Sequence, residues 1–239
     1  MDAPLFALAQ YVQWKWPETH GEDKIVVMLG GLYIEMALWK TVGDYIDCSG
    51  LTNALTQAGI ASSGTAESFL SCSHVSRTCH AHQVNAVVLR KLQKEAFFTL
   101  QPEAQEESEE VWLQEMVRKS PTFQYWDTIL RLELLVLLFV RAHREADFSL
   151  YVSSLKALAK WFFALNHPNY ARWVPVHIQD MENLPPSTSE EFVEHGHLVV
   201  SNTANKFSSM PLDQAEQNND LVKGSGGAVG LTENPSALR

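Results

Sequence analysis

Leu132-Glu133-Leu134-Leu135-Val136-Leu137-Leu138-Phe139-Val140 carries one charge in nine residues. Wrapped on a helix, such a run is apolar on nearly every side. It therefore predicts a central helix enclosed by the rest of the chain. Ser120-Pro121 supplies a helix start. A helix from there to about Arg144 has roughly 25 residues and a length of about 37 Å at 1.5 Å per residue. Its uncharged stretch, Leu134 to Val140, lies between Glu133 and Arg141. That is far short of the roughly 20 residues a bilayer span needs.

Working outward, most flanking segments also read as helices. Asp2 is an N-cap and Pro4 a first-turn residue for a helix over about 4–15, stopped at Pro17. Helices are expected over 32–46, 51–58, 65–70, from His74 or His80 to about 100, and over 111–117. Val84, Val87, Val88 and Leu92 are spaced as the apolar face of the long one. Asp147 caps a further helix through Phe148, Tyr151, Leu155, Leu158 and Phe162. Another runs from His167 to Leu184, with Pro175 kinking or dividing it. The strongest strand signal is Lys24 to Leu29 (KIVVML), a short apolar run ended by Gly30-Gly31. Segments 197–201 and 206–209 are weaker strands, and 211–221 fits a short helix. The fold class expected is mostly α with a small β component, an α-rich α/β arrangement. A single α-rich domain is expected over 1–239, with its helical part at about 51–184 and a flexible glycine-rich loop at 223–230. Thr232-Glu233-Asn234-Pro235 begins a helix by capping rules. The chain stops at Arg239 before that helix completes, and the first helix opens without a lead-in. Both ends read as those of a fragment of a larger protein.

Hydrophobic residues make up 46% of the chain and charged residues 19%, with seven Trp and eleven Phe. That balance belongs to a globular protein with a real core, because disordered chains lack large aromatics. The net charge of -10 argues against nucleic-acid binding by this piece alone, which would draw on Lys and Arg to neutralise phosphates. Glu103, Glu106, Glu107, Glu109 and Glu110 concentrate part of the excess in one solvated run. Three cysteines, Cys48, Cys72 and Cys79, fit a reducing compartment better than a disulfide scaffold. With no basic n-region at the start, the expectation is a soluble intracellular protein, cytoplasmic or nuclear, not held in a membrane.

Several residue sets invite chemistry. Cys72, His74, Cys79, His80 and His82 are zinc-competent types, but their spacing matches no closed tetrahedral site. His177 and Asp180, three apart on one helix, are a metal candidate. His195 and His197 flank Gly196 and lack further ligands. Gly224 to Gly230 fails as a phosphate loop, because Lys223 precedes the glycines and no Lys-Ser/Thr follows. Asp2, Glu35, Asp180, Asp213 and Glu216 are dispersed carboxylates of the kind a two-metal site gathers. Asp213 and Glu216 share a helix face at three-residue spacing. No nucleophile–base set has supporting context, and Cys48 sits in an Asp-Cys-Ser-Gly turn with no positive neighbour.

Six stretches span essentially the whole chain and resemble an uncharacterised, multi-copy family of invertebrate genomes that looks transposon-derived. They are PLFALAQYVQW (4–14), VVMLGGLYIEMALWKTVGDYI (26–46), HVSRTCHAHQV (74–84), FQYWDTILRLELLVLLFVRAHRE (123–145), WFFALNHPNYARWVPVHIQDM (161–181) and LVKGSGGAVGLTENPSALR (221–239). The family is loosely similar to RNase H-like transposases. The resemblance implies an RNase H-like core with a large helical insertion and a metal site of three segments. Asp2 would be the first acid. The second position falls near Tyr33, where the family has His (GGLHIEM). The late motif resembles DQAHEQNN, but this chain reads Asp213-Gln-Ala-Glu216-Gln-Asn-Asn219, lacking the His. One missing residue turns a helical face by about 100°. The function expected is therefore a catalytically silent fragment of a transposon-derived protein, with Asp2, Asp213 and Glu216 as vestigial catalytic residues and no cofactor. One alternative is a metal-dependent nuclease or transposase-like enzyme using Mg²⁺. Another is a helical protein-interaction domain drawing on the aromatic-rich 148–176 region, including Phe162 and Trp173.

Overall fold

The computed structural model describes residues 1–101, 108–201, 207 and 209–224, the last four by backbone alone. Helices begin where short polar side chains can take up free amides. Asp2 Oδ1 accepts from Leu5 N at 3.0 Å and opens α1 (Ala3–Lys15). After α2 (Pro17–His20) and an irregular segment come α3 (Gly31–Ile46) and α4 (Leu51–Gln57). Ser62 caps α5 (Ser63–Leu70), and α6 (Val75–Leu100) and α7 (Glu109–Lys119) follow. Ser120 Oγ accepts from Phe123 N at the start of α8 (Pro121–Glu145). Asp147 Oδ1 accepts from Leu150 N at 2.8 Å and opens α9 (Phe148–Ala164), as expected. α10 (Pro168–Glu182) runs through Pro175 as one helix. Gly196, in the left-handed region at φ 62°, ends α11 (Pro186–His195). β1 (Val199–Ser201) and β2 (Ser209–Pro211) pair antiparallel, with Val200 opposite Met210, before α12 (Leu212–Gly224). The fold is thus mostly α with a small β component. No helix among the described residues is long and apolar enough to cross a membrane.

The strand expected at Lys24 to Leu29 does not form. Lys24 N and Ile25 N close a turn on Gly21 O, and the rest of the run is irregular. Val27 and Leu29 are buried, so the apolar run reports burial correctly. What is missing is a partner strand. Gln13 Nε2 donates to the Ile25 carbonyl at 2.7 Å, so a side chain serves backbone that a neighbouring strand would otherwise serve. The described residues hold the β1–β2 sheet and no other.

The chain divides into two compact units, neither continuous in sequence. The first comprises Met1–Glu35, Phe139–Ala159 and the chain from Pro168 onward. Phe6, Leu29, Phe139, Tyr151, Leu155, Val174 and Met181 are buried in it. The second comprises Met36–Leu138 and Lys160–His167. Trp39, Val42, Phe97, Ile129, Val136 and Phe162 are buried in it. Two expectations for the second unit change. Leu134 and Leu138, one turn apart on α8, are exposed rather than enclosed. On α6, Val84, Val87, Val88 and Leu92 face outward, while Thr78, His82, Ala86, Gln93 and Phe97 form the buried face. Gln93 Nε2 donates to Asp127 Oδ1 at 2.9 Å, so polar partners on α8 let that mixed face pack. Gly43 meets the Leu70 carbonyl so closely that a Cβ there would collide with backbone, which fixes the approach of α3 to α5.

The segment holding Glu103, Glu106 and Glu107, the stretch 225–230 of the glycine-rich loop, and the helix start at Thr232 lie outside the described residues.

Candidate functional site

The site forms at the start of α3, inside the first unit. A helix N-terminus leaves amides without intrahelical partners and carries partial positive charge, so it favours a carboxylate. Asp213, in the first turn of α12, supplies one. Its Oδ1 accepts from Leu32 N at 3.1 Å and its Oδ2 from Tyr33 N at 3.3 Å. The two preceding glycines make room. A Cβ on Gly30 would strike Asp213 Oδ2, and a Cβ on Gly31 would strike His143 Nε2. Gln217, one turn beyond Asp213 on α12, donates from Nε2 to Tyr33 Oη at 2.7 Å.

Buried rings pack around this turn. His143 Nδ1 lies 3.1 Å from the Phe139 carbonyl. A carbonyl only accepts, so Nδ1 carries the proton and Nε2 is the bare acceptor beside Gly31. Burial pulls the His143 pKa down to about 4. His177 is fully buried, with Nε2 2.6 Å from Tyr151 Oη and Nδ1 without a partner. Burial pulls its pKa down to about 3, so both rings are neutral near pH 7. Tyr151 is pushed above the ordinary phenol range by burial, with Asp213 adding to it. Tyr170 is pushed up to about 12 by burial, then by Asp2, Asp213 and Tyr33. Tyr33 N reaches Asp213 directly, and Gly30 N donates to the Met1 carbonyl at 2.7 Å, so the start of the chain and Asp213 both meet the opening of α3.

The other candidates fall elsewhere. Glu216 is exposed on α12, and Glu35 is buried on α3. His177 and Asp180 share α10 but not a partner. His177 bonds Tyr151, whereas Asp180 Oδ2 accepts from Gln10 Nε2 at 2.8 Å. His195 and His197 both approach the Glu191 carboxylate, at 3.7 and 3.1 Å. In the second unit Cys72 is buried and Cys79 half-buried, and His82 Nδ1 bonds Glu133 Oε1 at 2.7 Å. Phe162 is buried, while Trp173 packs against Phe6 and Trp14 in the first unit. Among the described residues no three or more His, Cys, Asp or Glu side chains gather as a metal-holding group. Both Asp213 oxygens accept backbone N–H groups, and one Asp2 oxygen caps α1.

Sequence reasoning named Asp2, Asp213 and the Tyr33 position. It did not single out Tyr170, His143 or Gln217, and it placed Tyr151 only on a helix face. Gly30-Gly31 was the available signal, because paired glycines after a buried run mark close approach as well as a strand end.

The arrangement defines a mostly helical protein with a buried histidine–tyrosine cluster beside a carboxylate-capped helix. The chain belongs to the family described as Domain of unknown function (DUF8702), which it matches over residues 1–112 and 103–239. No curated protein and no solved structure matches it.

Proposed function

We propose that this chain is a catalytically silent, transposon-derived protein whose former metal-site segments now serve as structure. One observation carries the reading: Asp213 accepts from Tyr33 N, and Gly30 N donates to the Met1 carbonyl beside Asp2, but the side chain at the second position is a tyrosine held by Gln217. An active site of this ancestry calls for a ligating His at that position. Here Asp213 is engaged as the cap of α3. A net charge of -10 supports a role in which this piece does not hold nucleic acid by itself.

The test is titration of the full chain with Mg²⁺ and Mn²⁺ by calorimetry, beside a cleavage assay on single- and double-stranded DNA. No saturable binding and no cleavage are expected, and Asp213→Ala lowers stability only. Metal-dependent cleavage that disappears in Asp213→Ala would overturn the proposal. It would establish the second reading, a metal-dependent nuclease or transposase-like enzyme, which the convergence of Asp2 and Asp213 favours. Tyr33→His sharpens the outcome: metal affinity gained by that change alone identifies the tyrosine as the lost ligand.

A further inference from the structure

A polar pocket of about 280 Å³ lies in the first unit, between α1, the irregular segment before α3, and α10. Trp14, Val27 and Leu184 give it apolar walls, and Gln10, Glu22 and Asp180 give it an acidic pole. No Lys, Arg or His lines it among the described residues. Two carboxylates facing one cavity repel each other, and the Asp180 carboxyl is held above its ordinary range by burial and then by Glu22. The donor placed against this charge among the described residues is the Gln10 Nε2, at 2.8 Å from Asp180 Oδ2.

Gln10 supplies the independent sign of a missing ligand. It is 1% exposed, and its Oε1 is buried without a partner. Its amide cannot be turned over, because a carboxylate accepts only from the NH₂ end. The amide therefore ends at Asp180 on the pocket wall, with a carbonyl oxygen free to accept. An orphaned buried acceptor costs about 1–3 kcal/mol, and a donor from a ligand would relieve it.

We propose that this pocket binds a primary ammonium group on a short aliphatic stem. The ammonium has three donors and no acceptor, which suits Asp180, Glu22 and the Gln10 carbonyl. The stem lies along Trp14, Val27 and Leu184. A bare divalent ion would leave those apolar walls unused. The ligand is a free alkylamine or the side chain of a partner's lysine, which share this chemistry.

The full chain is titrated with n-butylammonium and with n-butanol, its neutral counterpart, while ¹H–¹⁵N NMR follows backbone and side-chain amides. Saturable shifts confined to Gln10, Gln13, Trp14 and the 179–184 segment are expected with the amine alone. Asp180→Asn and Glu22→Gln each weaken binding tenfold or more. Glu22 is exposed, so Glu22→Gln carries the test if Asp180→Asn disturbs folding by circular dichroism. Butanol binding as well as the amine, or unchanged affinity in Glu22→Gln, overturns the proposal. A final arm compares 1,4-diaminobutane with acetyl-Gly-Lys-Gly-amide. Tighter binding of the diamine upholds a free amine as the ligand, and tighter binding of the peptide upholds a partner's lysine.

Discussion

The two units bury histidine in opposite ways. In the first, His143 faces a backbone carbonyl and His177 faces the Tyr151 phenol, so the hydrogen-bond partner of each ring is a neutral group. In the second, His82 faces a carboxylate. Glu133 is 0% exposed, and its Oε1 takes both His82 Nδ1 at 2.7 Å and Asn85 Nδ2 at 2.8 Å. The Trp39 ring stacks on His82 at 4.7 Å and nearly parallel. A neutral pair buried in a dry interior costs little beyond its hydrogen bonds. An acid buried beside an imidazole stays in place only while its partners remain. The first unit should therefore respond mainly to pH, and the second mainly to truncation.

The largest expected effect is at Glu133. Glu133→Ala leaves the buried His82 and half-buried Asn85 donors without their acceptor and should cost about 3–5 kcal/mol in urea unfolding. A loss under about 1 kcal/mol would mean that the pair contributes nothing and would erase the contrast.

The pH response comes next. His143 and His177 have folded pKa values of about 4 and about 3, both lowered from 6.5. The unfolded chain therefore binds protons that the folded chain does not. The stabilisation is complete above pH 6.5 and is lost as pH falls from there towards 4 for His143 and towards 3 for His177. Each ring contributes about 1.4 kcal/mol per pH unit. Moving from pH 6 to pH 5 should cost roughly 2–3 kcal/mol for the two together. His143→Gln should remove about half of that slope. An unchanged slope in this variant would show that the ring is not held neutral by burial.

Tyr151→Phe is the mildest change. It takes away the hydrogen-bond partner of a fully buried His177 and should lower stability by about 1–3 kcal/mol at pH 7. Full recovery in Tyr151→Phe/His177→Leu would show that the cost lay in the orphaned imidazole.

Much of the helical frame was legible because its signals are local. Asp2 and Asp147 cap helices they sit beside, and Ser120-Pro121 starts α8. Lys24 to Leu29 misled because a strand needs a partner strand, which no run of apolar residues can announce. On α6 the valine stripe misled for a related reason. Its polar face packs because Glu133 and Asp127 stand opposite, and they lie 51 and 34 residues away. The site shared this limit. Resemblance marked Asp2, Tyr33 and Asp213, but their meeting at the start of α3 depends on contacts such as the 181-residue step from Leu32 to Asp213. That step also explains why Asp213 reads as an ordinary acidic first turn in sequence.

The same step sets a timetable on the ribosome. The opening amides of α3 emerge early, yet the carboxylate that receives them is made 181 residues later. At about 5–20 residues per second this leaves them waiting roughly 10–40 s. During synthesis, water or a chaperone must serve that helix end, and the first unit closes only after α12 has left the exit tunnel.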